Sequence, residues 1–357
     1  MAVSCAWNVQ TRTLYVEGPP MLVTWLLFIA CAAVILVAGT QLSRYGDVIA
    51  DMTGLGRTWI GVVLLASVTS LPELITGFSS VAIYRVPDIA MGDIAGSCMF
   101  NLLIIAILDA LHGPAPISGR VHEGQVLSAS FGLILLGLVG LSIALGEMLP
   151  AIGWVSVSSA LFLAIYLLAM RTIFTYEQRR IVAEFVAEMA TETEARHPSP
   201  ARVYGLFTLN AVLIVGAALY LPGLAETLAE TTGLGQTFFG TIFVALSTSL
   251  PEVVVSIAAL RIGAIDMAVG NIFGSNLFNI GILALDDLFY TPGPLLAAIE
   301  PSHIIAVLAA MIMTAIAIVG LTYRSDSKRL FIAWDALGIA VVYALANAAL
   351  YLQSGMR

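Results

Sequence analysis

Thr69-Ser70-Leu71-Pro72-Glu73 recurs letter for letter as Thr248-Ser249-Leu250-Pro251-Glu252, 179 residues further along the chain. Each copy lies deep in a long apolar run. A proline and a carboxylate are each costly in such a run. Meeting both costs twice implies two matched halves that build one polar site inside a membrane. A second matched pair follows the first. Gly92-Asp93-Ile94-Ala95-Gly96-Ser97-Cys98-Met99-Phe100-Asn101 corresponds to Gly270-Asn271-Ile272-Phe273-Gly274-Ser275-Asn276-Leu277-Phe278-Asn279, at an offset of 178. One extra residue therefore separates the two parts in the first copy, and its expected place is the loop near Arg85-Val86-Pro87.

Composition agrees with a membrane setting. The 357 residues are 59% hydrophobic and only 11% charged, with mean hydropathy +0.97. A soluble domain carries about 25% charged residues, so this chain has too few to cover a water-facing surface. The net charge of −8 and the lack of a basic stripe argue against a nucleic-acid partner. Cys5, Cys31 and Cys98 show neither metal-ligand spacing nor a disulfide framework, and Cys98 reads as a small buried apolar residue. The first 20 residues lack the pattern of a signal peptide.

Ten stretches are long and apolar enough to cross a bilayer: 21–43, 57–84, 88–110, 124–145, 149–171, 203–226, 236–261, 264–286, 300–322 and 331–352. The extended polar connection is 172–202, which holds Glu177, Arg179, Arg180, Glu184, Glu188, Glu192, Glu194 and Arg196. It is expected to begin as a surface helix and to end near Pro198-Ser199-Pro200. It divides the chain into five spans (21–171) and five spans (203–352). Five is odd, so the second half must enter the membrane the opposite way round. The expected fold is an all-α membrane protein of about ten transmembrane helices in two inverted-topology five-helix repeats. Their repeat motifs cover 65–105 and 244–283. This plan is common among secondary transporters, whose sites lie near the midplane between halves.

Lysine and arginine give an expected orientation. With the N-terminus outside, the inner loops hold Arg44, Arg57, Arg120, Arg171, Arg179, Arg180, Arg196, Arg202, Arg261, Arg324, Lys328 and Arg329, and the outer side holds Arg12, Arg85 and Arg357. That is 12 against 3, which favours both termini outside and the 172–202 loop in the cytoplasm.

Proline makes the first motif a site. It lacks an N–H and its ring crowds the carbonyl four residues back. Carbonyls near Val68 and Ser247, and near Ala66 and Ala245, are expected to lose helical partners and to turn to protein, water or an ion. Thr69, Ser70, Thr248 and Ser249 add hydroxyls, and Glu73 and Glu252 add charge. Such oxygens are ligands of hard cations, Ca2+ and Na+ among them. Ser97 and Asn101 share a helix face, as do Ser275 and Asn279. A serine and an asparagine facing each glutamate would complete an oxygen cage, with the residues between them pointing elsewhere. Two close glutamates can be neutralised by protons, by Na+ ions or by one divalent ion. These options exclude one another, which is the physical basis for exchange.

At these residues the chain resembles the calcium:cation antiporter superfamily, whose sodium/calcium exchangers carry paired repeats with T-S-L-P-E and G-S-x-x-F-N motifs. The resemblance covers both repeats and nearly the whole chain. It implies a core of the second, third, seventh and eighth helices, against which the first and sixth slide in alternating access. It implies that Glu73 and Glu252 are the main Ca2+ ligands and also serve Na+. Thr69, Ser70, Thr248, Ser249, Ser97 and Ser275 would line flanking Na+ sites, with the carbonyls of Ala66 and Ala245, while Asn101 and Asn279 complete the centre. The transported ions would be Ca2+ and Na+, with Ca2+/H+ or Na+/H+ exchange on the same fold as the alternative, and no cofactor is expected. The expected partners are the lipid bilayer and inorganic cations, with no obligatory protein partner.

The chain departs from its relatives in places. Many have Asp at one of the positions of Asn101 and Asn279, and usually Gly where Val68 and Ser247 stand. K+-coupled relatives use an acid at the second position. Proton-coupled ones usually place Glu where Ser97 and Ser275 stand. Asp93 replaces the usual Asn and lies four residues before Ser97 on the same face. It reads either as a third carboxylate near the ion path, sensitive to protons, or as a helix-end acid. Asp88 and Asp266 are expected at membrane surfaces, and Asp109, Asp286 and Asp287 at helix ends. His112, His122, His197 and His303 read as solvated loop residues. An enzyme is disfavoured: Met91-Gly92-Asp93 lacks the first glycine of an intramembrane aspartyl protease motif, and no His-Glu-x-x-His occurs. A cation channel could use the same ligands, but inverted halves around buried carboxylates suit alternating access better. The 172–202 loop is short and lacks an EF-hand pattern, so no calcium-sensing domain is expected. The expected location is the inner or plasma membrane, crossed many times.

Overall fold

The computed structural model describes residues 21–53, 68–185, 199–325, 327–328 and 332–354. They form α1 (Met21–Thr53), α2 (Leu71–Ser79, continued by a π turn Ser80–Tyr84), α3 (Pro87–Leu111), α4 (Gly124–Leu145) and α5 (Val157–Phe185). The second half is α6 (Pro200–Thr232), α7 (Gln236–Phe239, a π stretch Gly240–Val244 and Ala245–Thr248), α8 (Leu250–Arg261), α9 (Ile265–Phe289), α10 (His303–Tyr323) and α11 (Trp334–Ser354). Among the described residues eight helices are each long and apolar enough to span a membrane, and nine if α7 and α8 are one bent span. The remaining expected span, 57–84, is described only from Val68 onward. The chain is thus an all-α membrane protein of about ten spans. The expected 149–171 span starts later, at Val157. Before it a small antiparallel hairpin pairs Ala151–Ile152 with Val155–Ser156. The helix then runs on to Phe185, and 186–198 lie outside the described residues.

Burial separates central helices from peripheral ones. In α3 and α9, 78% and 83% of the most apolar window is buried, against 22% in α1 and 28% in α6. The two central helices can approach their neighbours closely because of glycine. On α3, Gly92 lies against the backbone of Gly240, where a Cβ would come within 2.9 Å. One turn on, a Cβ at Gly96 would strike the Thr241 carbonyl and come within 2.7 Å of the Ala245 methyl. This small-residue spacing lets α3 and α7 cross at backbone contact. The more exposed α1 and α6 pack on each other along their lengths. Trp25 and Phe28 of α1 pack on Phe239 and Phe243 of α7, with ring centroids 5.6–5.8 Å apart. Farther along α1, Gly39 lies on the ring of Pro251, so that a Cβ would sit 3.0 Å from the proline Cβ.

The repeat is visible as matched anchoring. Asp109 accepts from the Ile117 and Ala333 N–H groups, both at 2.8 Å, and meets Lys328. Its counterpart Asp287 accepts from the Leu295 and Ser156 N–H groups at 2.7 and 2.8 Å, and from Ser159 Oγ at 2.6 Å. Likewise Asp88 accepts from the Glu300 N–H at 2.7 Å, and its counterpart Asp266 accepts from the His122 N–H at 2.7 Å. These carboxylates tie helix ends to loops. His303, expected to be solvated, is instead fully buried, with Nε2 3.0 Å from Asp88 Oδ1. Standing at the start of α10, it faces the bundle rather than the loop.

The extra residue of the first repeat also sits elsewhere than expected. It is absorbed in the π turn Ser80–Tyr84, where the matching stretch of α8 stays α-helical to Arg261. A π turn widens the helix by one residue, so the loop at Arg85 need not lengthen.

Candidate ion-binding site

Both T-S-L-P-E motifs break their helices in the same way. Ser70 has φ −86° and ψ 13°, and Ser249 has φ −87° and ψ 7°. A new helix starts after each, with Pro72 or Pro251 in its first turn and Glu73 or Glu252 beside it. Proline fits the first turn, where no N–H partner is needed. The axis bends by 44° between α7 and α8. Proline has no N–H to give the carbonyl four residues back. The Ala245 carbonyl, expected to be freed as well, still accepts from the Ser249 N–H at 3.1 Å and lies 3.2 Å from the Thr248 hydroxyl. Its expected partner across the repeat, Ala66, lies outside the described residues.

The breaks bring the two halves together by exchange of serines. Ser249 Oγ lies 3.0 Å from Glu73 Oε1, and Ser70 Oγ donates to Glu252 Oε1 at 3.2 Å. Each glutamate is thus held by the motif of the other repeat. Ser275 Oγ lies 3.4 Å from Glu252 Oε1, and Ser97 Oγ lies 2.9 Å from Ser249 Oγ. A second reciprocal pair joins the helices alongside. Thr69 Oγ1 reaches Asn271 Oδ1 at 3.5 Å, and Thr248 Oγ1 donates to Asp93 Oδ1 at 2.8 Å. Asp93 and Asn271 are counterparts, so Asp93 stands inside the cluster. This separates it from a wet helix-end acid.

Glu73, Glu252, Asp93, Asn101, Asn279, Ser97, Ser275, Thr69, Ser70, Thr248 and Ser249 are all fully buried. Glu73 Oε2, Glu252 Oε2, Asp93 Oδ2, Asn101 Oδ1 and both amide atoms of Asn279 have no hydrogen-bond partner. Buried polar atoms are rarely left this way. The ion pairs of Lys328 and Arg324 lie away from the cluster, with Asp109 and Glu123. Among the described residues no three His, Cys, Asp or Glu side chains converge on one metal-sized point.

The asparagines behave differently from expectation. Asn101 donates its amide to Asn276 Oδ1 at 3.0 Å, and Asn276 Nδ2 reaches the Cys98 carbonyl at 3.2 Å. The residues between Ser275 and Asn279 are expected to point elsewhere, yet Asn276 joins the cluster. The signal was its pairing with Cys98 under the 178-residue offset, which marks one polar position for two different side chains. On the other side of the pseudo-twofold axis, Asn279 faces the Cys98 thiol, which offers no amide in return.

An inverted pair of broken helices with buried carboxylates at their junction defines a membrane secondary transporter for cations. The chain belongs to the sodium/calcium exchanger protein family, whose model matches residues 23–175 and 202–352. It is a cation antiporter and not an enzyme. It is 28% identical over 277 residues to the inner membrane protein YrbG of Escherichia coli (strain K12), covering 76% of this chain and 82% of that one. Among solved structures, it aligns with the sodium-calcium exchanger NCX_Mj at a TM-score of 0.61 and 22% identity, over 92% and 99% of the two chains. The H+/Ca2+ exchanger CAX aligns at a TM-score of 0.65 and 13% identity, over 95% and 87%. At these identities the two structures establish the shared fold.

Proposed function

We propose that this antiporter exchanges Ca2+ for Na+, with Na+ entering down its usual inward gradient and driving Ca2+ out, by alternating access at a midplane site. Glu73 and Glu252 are the main Ca2+ ligands. Thr69, Ser70, Thr248, Ser249, Ser97 and Ser275, with the carbonyls of Ala66 and Ala245, line flanking Na+ sites, and Asn101 and Asn279 complete the centre. The observation that carries this reading is the reciprocal Ser–Glu exchange, which leaves one free oxygen on each buried glutamate. Two such carboxylates need about two positive charges to stay ionised away from water. One Ca2+ or two Na+ ions supply them, but not both together. The two repeats span 21–171 and 203–352, joined by the cytoplasmic 172–202 segment, with both termini outside the cell membrane. The contact of Gly39 with Pro251 supports a sliding role for α1, because a flat glycine surface lets one helix pass another.

The test is Ca2+ uptake into proteoliposomes with an outward Na+ gradient in one set and an outward proton gradient in another. Uptake driven by Na+ alone is expected. Uptake driven by protons alone would move the protein to Ca2+/H+ exchange, a reading that Asp93 favours. Asp93→Asn restores the internal symmetry and keeps an oxygen for Thr248, as Asn271 does for Thr69. We expect it to retain exchange and to flatten its pH dependence. Superimposable pH profiles would remove Asp93 from any proton step.

A further inference from the structure

Asp286 is a buried carboxylate that nothing in the proposed site uses. It is 1% exposed, and among the described residues neither oxygen has a hydrogen-bond partner. Its neighbour Asp287 is equally buried but takes three donors. The internal repeat explains where the Asp286 side chain goes. Gly77 corresponds to Ser256 at the offset of 179, while Asp286 corresponds to Leu108 and Asp93 to Asn271 at 178. In the second repeat Asn271 donates to Ser256 Oγ at 3.4 Å. In the first repeat Gly77 has no side chain to offer. A Cβ there would come within 2.8 Å of Asp286 Oδ1 and closer to Oδ2. The carboxylate of Asp286 therefore occupies the volume that a serine side chain fills at the matched place.

Three departures from internal symmetry meet here: Asp93, Gly77 and Asp286. Asp93 stands at the place matched by Asn271, the residue that meets Ser256 in the second repeat. Beside Gly77, Thr76 Oγ1 is also buried without a partner. Gly77 follows Glu73 by one turn on the same face of α2, and Asp286 follows Asn279 by two turns on the same face of α9. Along α2, Thr76 and Gly77 thus lead from Glu73 of the central cluster to the carboxylate of Asp286. Glu73 on α2, Asp93 on α3 and Glu252 on α8 are the charged groups turned toward this interior, and all are acidic. α4 carries no titratable residue, and Tyr166 of α5 packs on Gly281. A buried carboxylate without a cationic partner must take up positive charge or stay protonated.

We propose that Asp286 binds one monovalent positive charge, as a sodium ion or a proton, and carries it through the transport cycle at a second site one helical turn from the central cluster. A divalent ion is disfavoured because a single carboxylate, that of Asp286, reaches the space beside Gly77, whereas two glutamates face the central cluster. The proposal rests on the antiport reading for its consequence, which is an added monovalent charge per Ca2+ moved.

The test is the zero-flux potential for Ca2+ in proteoliposomes clamped with K+ and valinomycin. It is read once with a Na+ gradient at equal pH and once with a pH gradient without Na+. Asp286→Asn is expected to lower the number of monovalent charges per Ca2+ by one. A change in the sodium arm identifies Na+, and a change in the proton arm identifies H+. An unchanged ratio in both arms overturns the proposal. Asp286→Leu, which copies Leu108, serves as the second variant should the amide fail to fold. In parallel, the melting temperature of the purified proteins is read against Na+ concentration and against pH. The wild-type response should exceed that of the variants. Identical responses overturn the proposal even where no antiport is detected, whereas a lost response with no antiport sinks the antiport reading alone.

Discussion

Glu252→Gln is expected to reduce Ca2+ uptake to the level of protein-free liposomes. Glutamine keeps the size of glutamate and an oxygen for the Ser70 and Ser275 hydroxyls, which lie 3.2 and 3.4 Å from Glu252 Oε1. What it removes is one of two central negative charges. Removing one member of a buried charged pair costs about 3–5 kcal/mol, and each 1.4 kcal/mol is about tenfold in affinity. Ca2+ binding should therefore weaken by at least about 100-fold. Glu73→Gln should do the same, because Ser249 holds Glu73 as Ser70 holds Glu252. The measurement is initial 45Ca2+ uptake under an outward Na+ gradient, with melting of the purified protein as the control for folding. Wild-type uptake by a folded Glu252→Gln protein would remove the glutamates from the site. Melting is expected to change little or to rise, since the substitution relieves a buried charge.

The second large effect is structural. Gly96→Val should abolish recovery of folded protein from detergent. Even the Cβ of alanine at this position would strike the Thr241 carbonyl and the Ala245 methyl. Both belong to the segment that leads into the Thr248-Ser249 break, and the carbonyl cannot rotate away as a side-chain tip could. Overpacking of a tight core costs about 1–3 kcal/mol even where side chains give way, and here the backbone itself must part. Gly96→Ala should lower the melting temperature and displace Thr248 from Asp93, whereas Gly132→Ala, at a position with open space around a Cβ, should melt like the wild type. A Gly96→Val protein that melts within a degree or two of the wild type would show that α3 and α7 do not cross at backbone contact.

The two predictions probe different physical quantities. Glutamate substitution tests charge, with the packing held constant. Glycine substitution tests packing, with the charge held constant. If the first abolishes transport without lowering the melting temperature and the second lowers both, then the cluster is a site carried by a scaffold. If both lower the melting temperature alike, the carboxylates serve the fold instead.

The sequence by itself determined the membrane class, the repeat and the position of the cluster. Apolar length sets the number of spans, because lipid leaves the backbone no partner except its own helix. Proline denies the helix one N–H wherever it stands, so Pro72 and Pro251 mark weak points in the sequence; Pro222, inside the unbroken α6, shows that the surroundings decide whether the helix parts there. A five-span half must invert, so the antiparallel meeting of the motifs also followed from counting. Pairing across the repeats was beyond reach. That Ser249 serves Glu73, that Asn101 turns to Asn276, and that His303 is buried against Asp88 depend on which helix faces which, and so on packing across more than 150 residues of chain. Asp286 shows the difference most clearly. Read along the chain, Asp286 and Asp287 are two acids near the end of one helix. They point in different directions, as successive residues on a helix do. Asp287 meets the N–H groups of a loop, and Asp286 meets a glycine whose missing side chain makes room for a charge. Only the tertiary structure brings Gly77 to that charge, because the distance between α2 and α9 is set by the packing of the whole bundle.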